Sequence, residues 1–444
     1  MTASLLERAA QAAACLELGR VPGEVIRHAG YVIADTVGVV RGGARSSQMD
    51  RLRELDTAEG LVHPAGAPVP AAARASTVLA DTLPRASAAH AALLNATAGT
   101  FLELDEGMRP TGHPAMHVVP AALAAAERAH ASGAELLQAV LAGYEATSRL
   151  FQGFRLRYPV HPHGHFGAVG AAVAVALLEG VDPVAAARAA ATTPLLPVWD
   201  ACYEGATVRN TWTGLAAQTG VRASSLVQAG FEGSPRALEV AYGTIAGDLV
   251  DAEALSAPLD YSGLGITRNY FKLHSACALT HAAIDAVAAM ELGDPGDIVR
   301  VRVETVANNM KLDRQPRPNA LSGRFSLPYA VATAIALGRT DPEAFTFRSD
   351  VAALARRVEL SVATDLEARW PQSSPARVSV ESGGGTTTCT VENPRGHHSR
   401  PIGVEELRLK FAGLVGVEHA DLWWPRLTAL IEVVDCADVL TDRP

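Results

Sequence analysis

Six of the fourteen histidines fall between His113 and His165, most of them in two short clusters. The first cluster is introduced by Glu103-Leu104-Asp105-Glu106-Gly107-Met108-Arg109-Pro110-Thr111-Gly112-His113-Pro114. Three carboxylates, an arginine and a histidine share one Gly/Pro-rich loop after an apolar helix, the kind of junction where a scaffold presents reactive groups. A carboxylate beside a histidine fixes its tautomer and raises its basicity. A solvated loop closing an acidic helix end has the same composition. The second cluster, Tyr158-Pro159-Val160-His161-Pro162-His163-Gly164-His165, alternates three histidines just before the small-residue run Gly167-Ala168-Val169-Gly170-Ala171-Ala172. Acid/base work, contact with an anion at the following helix N-terminus, metal ligation and plain structural histidines all fit that pattern. The Pro/Gly breaks argue against three rings pointing one way, so no metal is expected.

Three further segments carry polar chemistry. In Glu204-Gly205-Ala206-Thr207-Val208-Arg209-Asn210, Arg209 offers a planar fork for a carboxylate, or for a neighbouring acid of the chain itself. Arg268-Asn269-Tyr270-Phe271-Lys272-Leu273-His274-Ser275-Ala276-Cys277 lies where the texture of the sequence changes, and interdomain clefts are favoured ligand sites. A buried Lys272 would need an anion beside it to stay charged. In Arg324-Phe325-Ser326-Leu327-Pro328-Tyr329, Ser326 is placed to cap a helix. Tyr329 is then either a core aromatic or a phenol facing the cleft. Together these loops supply the minimum kit for proton transfer alpha to a carboxylate: a base, an acid and cations for enolate-like charge.

The elements that must position these groups divide in two. Up to about residue 265 the apolar spacing is helical, as in Val25, Ile26, Ala29, Val32, Ile33, Val37 and Val40, closed by Gly42-Gly43. Similar runs are expected over Ala88–Thr100, Val118–His130, Ala134–Phe151, Gly167–Leu178, Pro183–Thr193 and Leu215–Ala229, with no convincing strand among them. After about residue 295 period-two alternation appears in Ile298–Val303, Val358–Val362, Ala376–Val380 and Thr386–Val391. The last two flank Gly383-Gly384-Gly385, a hairpin signal. Helices are expected near Leu327–Ala336 and Asp350–Arg356, and again over Val404–Leu414 and Ala420–Val434. The expectation is a mainly α protein: a large all-helical domain over 1–266, a smaller α+β lid domain over 267–400, and a helical return over 401–444.

Bulk composition excludes several classes. A chain of 444 residues with 48% apolar and 19% charged residues has ample core for two domains. A net charge of -9 disfavours nucleic acid and anionic lipid, so an anion site must be built locally from Arg, Lys and His. Five scattered cysteines without a CxxC pair argue against disulfides, zinc ribbons and iron–sulfur clusters, and fit a reducing cytoplasm. The segment Met1–Arg20 has no apolar signal core, and the apolar stretch Gly167–Gly180 is too short to span a bilayer. No phosphate loop, no GxGxxG after a strand and no GxSxG elbow is present.

Taken in order, Glu-Leu-Asp-Glu-Gly…His-Pro, His-Pro-His-Gly…Gly-Ala-Val-Gly-Ala-Ala, Gly-Ala-Thr-Val-Arg-Asn, Lys272…Cys277…His281-Ala-Ala-Ile-Asp and Phe325-Ser326-Leu327-Pro328-Tyr329 resemble the MmgE/PrpD family along nearly the whole chain. The resemblance implies a cytoplasmic homodimer, no metal or organic cofactor, and an active site between the two domains. Matching positions are Glu103, Gly107, His113, His161, Arg209, Lys272, Cys277 and Tyr329. His113 and His161 look like the acid/base pair, Lys272 and Arg209 like carboxylate holders, and Tyr329 like a donor or relay. Asp105, His163, Asn210 and Arg324, on the same loops, join the expected substrate contacts. Departures from the better-known members are Glu103 for Asp, Gly107 for Thr, Arg209 for Lys, and His113-Pro114-Ala115 for His-Pro-Gly. The expected function is a cofactor-independent lyase of the dehydratase type acting on a small hydroxy-carboxylate. Epimerisation, decarboxylation and a non-catalytic ligand-binding relative are the alternatives.

Overall fold

The computed structural model describes residues 3–67 and 75–441; the extreme ends of the expected domain division, 1–2 and 442–444, lie outside the described residues. The protein is mainly helical with a few small sheets. Seven helices build the body around the site: Gly23–Gly43, Ala88–Gly99, Pro114–Ala129, Gly133–Gly153, Phe166–Glu179, Pro183–Ala191 and Thr211–Gln228. Each falls on an expected apolar run, with ends shifted where caps decide them. Ser132 and Glu135 form a reciprocal capping box that starts one helix, and Asp182 with Pro183 starts another. Phe166–Ala176 is buried on every side, because its residues are small or apolar all round and four other helices enclose it.

Buried apolar side chains gather in two main clusters. One runs from Leu6 to Phe271 and resumes over Leu407–Leu440. The other holds residues 276–391 together with Trp199, Cys202 and Tyr203. The Asp200–Glu204 helix, which sequence periodicity groups with the helical part, thus packs with the sheet-bearing part, its Trp199 ring 6.1 Å from that of Phe325. Helices Val404–Val415 and Val417–Thr428 return to Gly23–Gly43, where Gly38 and Gly42 leave room for Phe411 and Leu414.

The main sheet has four strands in the order 385–391, 376–382, 298–305, 358–362. The first three are antiparallel and the fourth runs parallel to 298–305. Ser382 pairs with Gly385, so Gly383-Gly384 forms the two-residue turn that the glycine run signals. Val301, Val303, Val378 and Val380 are buried, and helices His281–Ala288 and Leu327–Leu337 pack beside the sheet.

The expectation of no strands before residue 265 is corrected. Gly107–Met108 pairs antiparallel with Asn269–Tyr270, and Phe154–Leu156 with Gly247–Leu249. Two or three residues are too few to show a period of two, so such ladders leave no trace in the pattern. The first of them ties the acidic loop to the segment carrying Lys272.

Candidate active site

A cavity of about 100 Å3 opens between the histidine loops and the sheet-bearing part. Its lining includes Glu103, Arg109, His113, His161, His163 and Trp199, with Arg209, Tyr270, Lys272, Cys277 and Lys311 completing the polar and aromatic wall. Its size suits a small metabolite rather than a nucleotide.

Beneath it lies a buried charge network. Helix Ala88–Gly99 ends in a turn that puts Glu103 at φ +51°, a conformation most side chains avoid and that surrounding contacts must hold. Arg209 Nη1 donates to Glu103 Oε1 at 2.5 Å and Lys272 Nζ to Glu103 Oε2 at 3.1 Å. Lys272 Nζ also donates to Asp105 Oδ1 at 2.8 Å. Burial would raise the Asp105 carboxyl, but Lys272 and His113 reverse this and hold it well below the usual carboxylate range. The Lys272 ammonium, disfavoured by burial, is held charged by Asp105 and Glu103, and Arg209 likewise by Glu103. Between the two acids, the Leu104 carbonyl accepts from Lys410 Nζ at 3.0 Å. Lys410 comes from the returning helix and is itself paired with buried Asp35 at 2.7 Å.

His113 sits at the start of helix Pro114–Ala129. Its Nδ1 lies 2.7 Å from the Glu106 carbonyl oxygen, which receives the N–H, and 2.8 Å from Asp105 Oδ2 alongside. In the neutral ring the hydrogen is therefore on Nδ1, which leaves the lone pair on Nε2. His161 has the opposite tautomer: its Nδ1 accepts the His163 backbone N–H at 3.2 Å, so its ring hydrogen is on Nε2. Burial, then Arg209 and His113, hold His161 well below the normal histidine value, and burial with His113 does the same for His163. Both rings are neutral donors and acceptors rather than cations. His117 and His165, each brought down to about 4 chiefly by burial, brace the loop. His117 Nε2 accepts the Gly164 N–H at 3.0 Å, and His165 Nε2 donates to the His161 carbonyl at 2.8 Å.

Under this layer Glu106 accepts the Ala115 N–H at 2.6 Å and the Tyr144 hydroxyl at 3.2 Å. Burial pushes its carboxyl up to about 8, so it holds its proton at neutral pH. Burial also raises the Cys277 thiol, which stays protonated and is no nucleophile here.

Five expected site residues do not line the cavity. Asp105 is fully buried behind His113 and Lys272, so it holds those groups and does not touch substrate. Tyr329 is buried in the sheet-bearing core: its hydroxyl accepts the Arg348 N–H at 2.9 Å and its ring stacks on Phe347. Arg324 donates to the carbonyls of Phe101 and Pro342, and burial pulls its guanidinium down to about 10. Asn210 does not line the cavity: its side-chain oxygen accepts from Arg209 at 3.1 Å and its carbonyl from the Thr100 and Thr213 hydroxyls at 3.2 Å. Gly107 does not line the cavity; a Cβ there would lie 2.2 Å from the Tyr270 hydroxyl. The cleft's phenol is accordingly Tyr270, which the sequence reading passed over. A glycine opposite an aromatic was its one available signal. Arg109 stood in the acidic loop without being singled out, and Lys311 and Trp199 carried no signal. The alternating histidines do not converge on one point. Among the described residues, Asp105, His113 and His163 have metal-like spacing. The fit is poor, because His113 Nδ1 bears a hydrogen aimed at a carbonyl and Lys272 already holds the Asp105 carboxylate.

Residues 7–253 match the MmgE/PrpD N-terminal domain and residues 274–421 the MmgE/PrpD C-terminal domain. Human cis-aconitate decarboxylase is 26% identical over 477 aligned residues, which span 100% of this chain and 93% of that protein. With both domains matched along most of its length, the chain belongs to the MmgE/PrpD family.

Proposed function

We propose that the protein is a cofactor-independent lyase of the dehydratase type, acting by acid/base chemistry alpha to a carboxylate on a small hydroxy-carboxylate. The observation that carries this reading is the pair of opposite histidine tautomers on one cavity. His113 Nε2 has a free lone pair, with the Asp105 carboxylate 2.8 Å behind the ring; His161 offers a neutral Nε2–H. His113 takes the alpha proton, and Asp105 stabilises the imidazolium that forms. The neutral His161 Nε2–H hydrogen-bonds the enolate-like oxygen, and the His113 imidazolium returns the proton it took to the departing hydroxyl, which leaves as water as the double bond forms. Lys272 and Arg209 act through Glu103 and Asp105, holding the acids rather than the substrate. In this reading residues 267–400 form a smaller lid over the helical body of 1–266 and 401–444, and the working form is a cytoplasmic homodimer, which sedimentation would test. Decarboxylation is the second reading, favoured by the full-length similarity to human cis-aconitate decarboxylase.

The test is incubation in deuterated water with a panel of di- and tricarboxylates, with and without EDTA, followed by proton NMR. Alpha-proton exchange or a vinyl signal, insensitive to EDTA and lost in His113→Asn, is the expected result. Loss of carbon dioxide would select the second reading, and retention of exchange in His113→Asn would sink the assignment of the base.

A further inference from the structure

Three buried phenols spend their hydroxyls within the fold. Tyr144 donates to Glu106 Oε2 at 3.2 Å, Tyr242 meets His165 Nδ1 at 3.2 Å and Tyr329 accepts the Arg348 N–H at 2.9 Å. Tyr270 differs. It lines the cavity and is otherwise buried. Its hydroxyl makes no hydrogen bond among the described residues, nor is it one of the polar atoms sealed inside the protein. A phenol in an apolar setting ordinarily finds a partner for its O–H, and here the open side is the cavity.

The fold fixes where this hydroxyl stands. Gly107 pairs with Tyr270 in the two-residue ladder, and a Cβ at 107 would lie 2.2 Å from the hydroxyl oxygen and 2.4 Å from Cζ. A residue without a side chain therefore lets the phenol lie across the acidic loop. On the strand's other edge His397 pairs with Tyr270, and the Phe271 N–H donates to the Gly396 carbonyl at 2.9 Å. The ring is flanked by the Arg109 guanidinium, 4.9 Å from its centroid, and by the His113 ring, edge-on at 6.4 Å. A donor held in this way has little freedom left to lose when it engages a ligand. Burial raises the phenol well above its usual value, against the lowering pull of Arg109 and Lys272, so it remains a neutral O–H.

We propose that Tyr270 is a further catalytic residue, whose hydroxyl donates a hydrogen bond to the oxygen that leaves the substrate beside His113. The proposal rests on the acid/base reading of this cavity, in which His161 serves the enolate-like oxygen and the leaving oxygen falls to the His113 wall. His113 Nε2 removes the alpha proton. The C–O bond then breaks with its electron pair staying on oxygen, and the His113 imidazolium supplies the proton that completes water. Tyr270 keeps its own proton throughout. Its hydrogen bond turns the leaving oxygen towards His113 and takes up part of the growing negative charge.

Tyr270→Phe removes one oxygen and keeps the ring beside Arg109 and His113. Its melting temperature should match that of the wild type, because no hydrogen bond within the fold is lost. With malate and citrate in deuterated water, loss of water should slow by about tenfold to a hundredfold. Alpha-proton exchange, which precedes the departure and belongs to His113, should persist; a ring that served only as packing would leave both steps unchanged. A second readout does not need turnover. The tyrosine Fermi doublet in the Raman difference spectrum between wild type and Tyr270→Phe should move to the donor pattern when malate or citrate is added. Undiminished water loss in Tyr270→Phe, or a doublet unmoved by both compounds, overturns the proposal and leaves the acid/base reading standing. Exchange and water loss falling together with the melting temperature would also overturn it, making Tyr270 a structural residue. A shifted doublet without proton exchange in the wild type would sink the acid/base reading and leave the hydroxyl's contact with the ligand standing.

Discussion

Replacing Glu106 by glutamine separates its proton from its shape. The carboxyl lies beneath His113, fully buried, accepting from the Ala115 N–H and the Tyr144 hydroxyl. Burial raises it from 4.5 to about 8. The folded state therefore keeps a proton that the unfolded chain releases. The stability tied to this group is fully present below about pH 4.5 and is lost as pH rises towards 8. The slope is about 1.4 kcal/mol per pH unit, and the whole window is worth about 5 kcal/mol as a ceiling. A glutamine side chain in this place can accept from the same N–H and turn its amide towards Tyr144, and it does not titrate. Urea unfolding of both proteins at pH 5, 6, 7 and 8 should show Glu106→Gln gaining on the wild type at each step, with the greatest advantage at pH 8. A stability difference that stays constant across this range would refute the protonated, buried carboxyl. A gap closing as pH rises would mean the carboxylate is the form the fold prefers.

Asp105→Asn should lower kcat by about a hundredfold to ten-thousandfold with a smaller change in KM, because the imidazolium of His113 loses its counter-charge; steady-state kinetics on the substrate found by NMR checks it. Lys410→Met leaves Asp35 buried without its cation and should cost about 3–5 kcal/mol by chemical denaturation. Adding Asp35→Asn should restore most of that stability but not kcat, since the Leu104 carbonyl stays untethered. Gly107→Thr puts a Cβ 2.2 Å from the Tyr270 hydroxyl oxygen and should lower stability by about 1–3 kcal/mol while displacing Tyr270, which near-UV circular dichroism would register.

The long helices were legible because each carries enough residues to show its period, as Gly133–Gly153 does. The four-stranded sheet was legible from Ile298–Val303 and the triple glycine. The two-residue ladder Gly107–Met108 with Asn269–Tyr270 was not, since its signal lies in which residues meet across some 160 positions of chain. For the site, histidines and acids drew attention because their types are rare in apolar surroundings, and His113, His161, Glu103, Asp105, Lys272 and Arg209 do meet. What sequence could not show was who pairs with whom. From sequence, Arg209 is as open to a neighbouring acid as to a substrate carboxylate and Lys272 needs some anion; only the structure sets Glu103 and Asp105 against them. Tyr329 and Tyr270 are chemically equivalent on paper, and only packing separates a core ring from a cavity wall. Lys410 carries no local mark, because its partner carbonyl is 306 residues away.

That last contact bears on how the molecule comes into being. The Gly23–Gly43 helix is made early, yet the side chains that cover its glycine face, Phe411 and Leu414, and the ammonium that steadies the Leu104 carbonyl, come from residues 404–415. At about 5–20 residues per second, a growing chain waits on the order of 20–70 s between making one and the other. Throughout that interval the nascent protein exposes an apolar groove that is a natural client for a chaperone, and its acidic loop is unsupported. The support that Lys410 gives the acidic loop is therefore complete only once the returning helices have emerged from the ribosome.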